Sequence, residues 1–205
     1  MGTTFSFQKV DNGRLTMLRG AKELWLSFIV IILITVLYAG IIALTRTIPA
    51  AGEFYGHTLG ILGFILMMMT EILYSLRKRS QTRVARWGRM SDWLQFHIFT
   101  GIVGPYMVLL HSSWKFNGLA GATMLLTVVI VISGFIGRYI FTRIPRTLDG
   151  IEVDSATGGL QASALAQSRR LMALWHTIHI PIGMALFVSA FVHIFAALYY
   201  ATLLK

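Results

Sequence analysis

Residues 175–194 read WHTIHIPIGMALFVSAFVHI, an apolar run that contains three histidines, His176, His179 and His193. About 20 consecutive apolar residues are enough for a helix to cross a membrane, so this stretch predicts a transmembrane helix. An ionisable side chain inside a membrane is unfavourable and marks a functional candidate. A function for these histidines therefore has to explain why imidazole is retained in hydrocarbon.

The composition of the whole chain supports a membrane protein. Of its 205 residues, 56% are hydrophobic and only 13% are charged, whereas soluble domains carry about 25% charged residues. The chain has no cysteine, which excludes thiolate-held iron–sulfur clusters and covalent C-x-x-C-H haem. The net charge of +10 reflects membrane topology in such a chain, and nucleic-acid binding is not expected.

Apolar runs predict an all-α membrane protein with five transmembrane helices. Residues 1–25 form a cytoplasmic N-terminal segment, residues 26–205 hold the five-helix domain, and residues 142–170 form a polar cytoplasmic loop. This loop is interpreted either as a solvated linker or as a docking surface. The predicted spans are Leu26–Leu44, His57–Leu76, Asp92–Ser112, Leu119–Phe141 and Leu171–Leu204.

The distribution of Lys and Arg predicts the orientation. Of the 18 Lys and Arg residues, fifteen lie within residues 1–25, 77–89 and 138–170, on one side of the predicted membrane. Cytoplasmic loops carry such an excess. The N-terminus is therefore predicted to be cytoplasmic and the C-terminus outside, in an integral protein of the bacterial cytoplasmic membrane.

The third and fifth spans each contain two histidines separated by 14 residues, His97 and His111 in one and His179 and His193 in the other. At 100° per residue, 14 residues bring two side chains to within about 40° of one face, about 21 Å apart along the axis. The two spans run parallel because one span separates them. His97 and His179 are therefore expected at the cytoplasmic depth, and His111 and His193 at the outer depth.

Two imidazoles at each of two depths predict two bis-histidine haem sites. Neutral imidazole is a good ligand for haem iron. Gly104, midway between His97 and His111, is predicted to let the backbone approach the porphyrin. The less specific interpretation is that each histidine forms hydrogen bonds between helices, but that does not explain the repeated spacing.

This pattern resembles the four-helix haem core of cytochrome b of the b/b6 type, and similar spacing occurs in ferric-reductase-like membrane domains and in cytochrome b561. The resemblance covers residues 57–200. It implies that His97, His111, His179 and His193 are the axial ligands of two haem b groups. In size and span number the chain is also similar to the membrane anchors of nitrate reductase and related quinone-linked complexes.

Four further residues are candidate contacts for a quinone or for haem propionates. Arg138, at the cytoplasmic end of the fourth span, is a candidate partner for an anionic propionate. His57 opens the second span at the outer side, and His176 precedes His179 by three residues. Glu71 is the one carboxylate well inside a predicted span, where an acid is a functional candidate. Interfacial or snorkelling positions are the alternative for Arg138 and His57, and a charge pair with Arg77 near the interface is the alternative for Glu71. His176 also competes with His179 as the cytoplasmic-side ligand, but His179 is preferred because the 17 residues to His193 turn His176 about 100° off that face.

The function predicted from these patterns is electron transfer across the membrane. The protein is expected to be a subunit of a larger oxidoreductase rather than a self-sufficient enzyme. Its predicted partners are membrane lipid, the quinone pool and a peripheral redox subunit with an iron–sulfur cluster, a flavin or cytochrome c. The alternative is a transporter in which histidines relay protons or bind metal. Pro105 and Pro181 are consistent with this alternative, because transporters often contain helices interrupted by proline or glycine.

Overall fold

The computed structural model describes residues 22–79, 90–144 and 159–203, and every regular element in these ranges is an α-helix. All five helices are long and apolar enough to cross a membrane. This confirms the prediction of an all-α protein with five candidate spans. The helices are α1 (Lys22–Thr45), α2 (Phe54–Arg79), α3 (Met90–His111), α4 (Gly118–Thr142) and α5 (Gly159–Leu203).

Helix α5 begins earlier than the sequence predicts, at Gly159 instead of Leu171. Its 45 residues form a helix about 68 Å long, more than twice the ~30 Å of a bilayer core. Residues 159–170, expected within the polar loop, are therefore helical. The physical reason is that Leu, Ala, Gln and Arg dominate residues 160–170, and these are strong helix formers.

Helices α2 and α3 pack closely because glycines face each other across the contact. A Cβ added to Gly63 would lie 2.8 Å from the carbonyl oxygen of Gly104. Nearer one end, the hydroxyl of Thr70 donates a hydrogen bond to that of Thr100, and both side chains are buried. Small residues that let backbones approach and hydroxyls that bond across helices are the usual means of association in lipid.

Helices α4 and α5 form a second antiparallel pair. Thr123 and Ser189 share a hydrogen bond of 2.6 Å near one end. Near the other end, the indole of Trp175 fills the space beside Gly137, where a Cβ would lie 2.2 Å from the ring. Both contacts depend on residue pairs that are far apart in the chain.

The two pairs close into a four-helix ring. Helix α3 contacts α4, and on the opposite side Phe64 of α2 packs against Phe187 and Phe191 of α5, with ring centroids 6.4 and 5.5 Å apart. The order around the ring is therefore α2, α3, α4, α5, and α3 lies diagonally opposite α5. Helix α1 packs on the outside of α3, where Thr35 and Tyr106 are hydrogen-bonded.

The two ends of the bundle differ in charge. Helices α1, α3 and α5 begin at one end of the bundle, and α2 and α4 finish there. We call it the basic end, because the sequence at the ends of α2 and α4 contains Arg77, Lys78, Arg79 and Arg143. The opposite end is called the far end.

Candidate functional site

The structure brings the four paired histidines together as two pairs at two depths. His97 of α3 lies close enough to His179 of α5 for their charges to interact, and this pair is at the basic end. His111 and His193 interact in the same way at the far end. The 14-residue spacing on two parallel helices thus brings two imidazoles near each other at each of two depths, on helices that lie diagonally in the ring.

Both histidines of α3 are held by backbone carbonyls of α2. The Nδ1 atom of His97 lies 3.2 Å from the carbonyl oxygen of Thr70, and that of His111 lies 2.8 Å from the carbonyl oxygen of Gly56. A carbonyl accepts only, so each Nδ1 carries the proton and donates. The ring of His111 lies directly against Gly60, where a Cβ would be 2.8 Å from Cγ and Nδ1.

His179 is held differently, by a side chain of α4. Its Nδ1 atom lies 2.9 Å from the hydroxyl oxygen of Ser133. The indole of Trp175 stacks on its ring, with centroids 4.5 Å apart and an interplanar angle of 28°. The Nε1–H of Trp175 donates to Ser133 as well, 2.7 Å from its carbonyl oxygen and 3.1 Å from its hydroxyl oxygen.

This donor set fits a bis-histidine haem. A metal-bound histidine almost always donates its other ring N–H to a carbonyl, a carboxylate or another polar group, which fixes the ring and its tautomer. A protein group lies within hydrogen-bond distance of Nδ1 in His97, His111 and His179, as is usual for histidines that bind a metal through Nε2. Among the described residues no group of three or more His, Cys, Asp or Glu could hold a metal ion, whereas haem iron takes only its two axial ligands from the protein.

The structure places Gly104 against α2, not against α5. A Cβ at Gly104 would lie 2.9 Å from Cγ of Met67 and 3.0 Å from the carbonyl oxygen of Gly63. Its evident role is therefore close packing of α2 on α3. Gly60, which the sequence analysis did not single out, is the glycine that makes room for a histidine of the site.

Arg138 already has an anionic partner within the protein. Its guanidinium donates to the carboxylate of Glu23 in α1, and the side chains are 18% and 4% exposed. The second carboxylate oxygen of Glu23 is buried and has no hydrogen-bond partner among the described residues. The predicted contact of Arg138 with a propionate would therefore compete with an ion pair that joins α1 to α4.

The remaining candidates divide between the two depths. His57 is exposed and interacts electrostatically with His111 at the far end. Glu71 is exposed, accepts a hydrogen bond of 3.4 Å from Ser75 and interacts electrostatically with His97. At the same end, the Nδ1 atom of His176 donates to the carbonyl oxygen of Met172, 3.0 Å away. Glu71 and His176 thus lie near the His97–His179 pair.

Sequence reasoning did not find Ser133, Trp175 or Gly60 as parts of the site. Two glycines one helical turn apart, Gly56 and Gly60, precede Gly63 in α2, and this glycine run is a signal for a tightly approached helix face. No comparable sequence signal marks Ser133, because a lone serine in an apolar helix has many roles.

A comparison of the chain with protein-family models, curated proteins and solved structures finds no match.

Proposed function

We propose that this protein is a di-haem b-type cytochrome that carries electrons across a membrane. The observation that supports this function is the pair of neighbouring histidines at each of two depths. In three of the four imidazoles a protein group lies within hydrogen-bond distance of Nδ1, an arrangement typical of histidines that bind a metal through Nε2. Mutual hydrogen bonding between the histidines would not require Nδ1 to be held by a third group.

Each haem, when bound, supplies one-electron chemistry at a bis-imidazole iron. The protein contributes the ligands, His97 and His179 at the basic end and His111 and His193 at the far end. The 14 residues between the histidines of one helix correspond to about 21 Å along its axis. This separation divides the thickness of a bilayer core into shorter steps for electron transfer.

The orientation in the membrane follows from charge. The excess of Lys and Arg at the basic end favours a cytoplasmic position for that end, with the N-terminus inside and the C-terminus outside. A bacterial cytoplasmic membrane is the location proposed. The His97–His179 pair then exchanges electrons on the cytoplasmic side, and the His111–His193 pair on the outer side.

The proposed partners are the quinone pool and a peripheral redox subunit that carries an iron–sulfur cluster, a flavin or cytochrome c. Exposed Glu71 is favourably placed for proton exchange with a quinone, because it lies near the His97–His179 pair. The length of α5 supports a peripheral partner, since residues beyond those needed to span the bilayer are available for docking. The protein would then be the membrane subunit of an oxidoreductase complex.

A histidine-based transporter receives less support from the geometry. Transporters of that kind often bind their substrates where membrane helices are broken. Here Pro105 and Pro181 lie inside α3 and α5, and both helices continue through them.

The decisive experiment is haem content and spectrum of the purified full-length protein. We expect a reduced-minus-oxidised difference spectrum of b type and two haems per chain in a pyridine haemochrome assay. His97→Ala and His193→Ala should each leave one haem. His57→Ala is the matched control, because it removes an exposed imidazole near the far-end pair and should leave two. A folded wild-type protein that contains no haem would refute the proposal and favour an assay of proton or metal flux.

A further inference from the structure

One haem site of this protein has a feature that the other lacks. At the basic end, His179 is bound through the hydroxyl of Ser133, which is 46 residues away in the chain, on α4. His97 and His111 donate instead to backbone carbonyls. A carbonyl cannot be removed by substitution, whereas a hydroxyl can, and its strength as an acceptor depends on what else it binds.

The hydroxyl oxygen of Ser133 lies within hydrogen-bond distance of two nitrogen atoms, Nε1 of Trp175 and Nδ1 of His179. Trp175 has only a donor on its indole, and its Nε1–H is shared between the carbonyl oxygen of Ser133 at 2.7 Å and the hydroxyl oxygen at 3.1 Å. The longer branch uses one lone pair of the hydroxyl oxygen. With Nε2 of His179 on a metal, its Nδ1–H uses the other lone pair at 2.9 Å. Trp175 therefore competes with His179 for the same acceptor while its ring stacks on the imidazole.

The position of Trp175 is itself determined by α4. Gly137 lies one helical turn from Ser133, and a Cβ there would be 2.2 Å from Cε2 and Cζ2 of the indole. Ser133 and Gly137 thus present one face of α4, on which Trp175 and His179 are both seated. The arrangement leaves the ring of His179 little freedom to rotate.

From this geometry we infer that Ser133 is a positioning residue for the haem at the basic end. With Nε2 of His179 on the iron, Ser133 accepts the hydrogen bond from Nδ1–H and, together with Trp175, sets how strongly that imidazole donates electrons to the iron. The inference rests on the proposed function, because it takes His179 as an axial ligand. It distinguishes the two haems, since the hydroxyl of Ser133 bonds a histidine of the basic-end pair, whereas His111 of the far-end pair is held by the backbone carbonyl of Gly56.

The sign of the effect follows from the direction of the hydrogen bond. An acceptor at Nδ1–H makes the imidazole more basic and favours the oxidised iron. Ser133→Ala removes the acceptor, so the midpoint potential of the basic-end haem should rise. Trp175→Phe removes the competing donor and keeps an aromatic ring, so the same potential should fall.

The test uses the full-length haem-loaded protein in single-haem backgrounds. His193→Ala leaves the basic-end haem, where Ser133→Ala should raise the midpoint potential and weaken haem binding by about 10-fold or more. In the His97→Ala background, which leaves the far-end haem, Ser133→Ala should change neither. Ser133→Thr keeps a hydroxyl and should restore the wild-type potential.

Thr123→Val is the matched control, since it removes another hydroxyl bond between α4 and α5, the one to Ser189, without touching a histidine. If Ser133→Ala matches Thr123→Val in potential, haem affinity and electron paramagnetic resonance spectrum, the inference is wrong. If the wild type holds two haems in that case, the proposed function survives. A wild type without haem would overturn both.

Discussion

On the proposed function, Gly60→Ala should weaken haem binding by the far-end histidine pair without weakening it at the basic end. The added Cβ would lie 2.8 Å from Cγ and Nδ1 of His111 and 3.0 Å from Cε1. Non-bonded heavy atoms are comfortable at about 3.5 Å, so the ring must move by roughly 0.7 Å. Because Gly60 belongs to the backbone of α2, the imidazole is the group that moves.

That displacement acts on the hydrogen bond that orients the ring. The Nδ1 atom of His111 now lies 2.8 Å from the carbonyl oxygen of Gly56. A movement of about 0.7 Å can lengthen this distance beyond the ~3.2 Å limit of an ordinary N–H···O bond. Loss of an orienting partner typically weakens metal binding by about 10–100-fold, which corresponds to roughly 1.4–2.7 kcal/mol.

The assay is haem transfer to an excess of apomyoglobin, with the two sites resolved in the His97→Ala and His193→Ala backgrounds. We expect the far-end haem to be bound about 10–100-fold more weakly in Gly60→Ala, with the basic-end haem unchanged. Gly134→Ala is the control, because a Cβ at Gly134 meets nothing within 4 Å and both changes favour the helix by up to about 1 kcal/mol. Equal haem retention in the two variants would refute the reasoning.

Two further predictions concern the stability of the helix bundle. Gly104→Ala should lower the unfolding temperature in detergent, measured by circular dichroism, because its Cβ would lie 3.0 Å from the carbonyl oxygen of Gly63 and 2.9 Å from Cγ of Met67; an unchanged temperature would contradict this packing. Glu23→Ala should lower the free energy of unfolding by about 3 kcal/mol, since Arg138 loses its buried carboxylate partner. Denaturant unfolding should show partial recovery in Glu23→Ala/Arg138→Met, and no recovery would show that the pair itself is not the cause.

The helices themselves could be predicted from the sequence. The sequence contains five apolar runs long enough to cross a bilayer. In lipid the backbone N–H and C=O groups of such a run form their hydrogen bonds only within a helix. The spacing of 14 residues in two parallel spans was enough to expect His97 opposite His179 and His111 opposite His193. Residues 160–170 were the exception, because helix propensity there outweighed the polar composition that indicated a loop.

What holds the histidines was decided only by the tertiary structure. Two of the acceptors, at Gly56 and Thr70, are backbone carbonyls. Every residue has a backbone carbonyl, so the residue type does not indicate this role. Ser133 forms its hydrogen bond with His179 from another helix, and Glu23 forms an ion pair with Arg138, 115 residues away in the chain.

The physical reason is the solvent. In a water-soluble helix, hydrophobic periodicity shows which face is buried. Lipid is as apolar as the packed interior, so the lipid-facing and inward faces of a membrane helix are both apolar and the sequence does not distinguish them. The sequence therefore determined which segments are helices and the depth of each histidine. The packing of α2 on α3 and of α4 on α5 determined which face each helix turns inward, and so which atoms orient His97, His111 and His179.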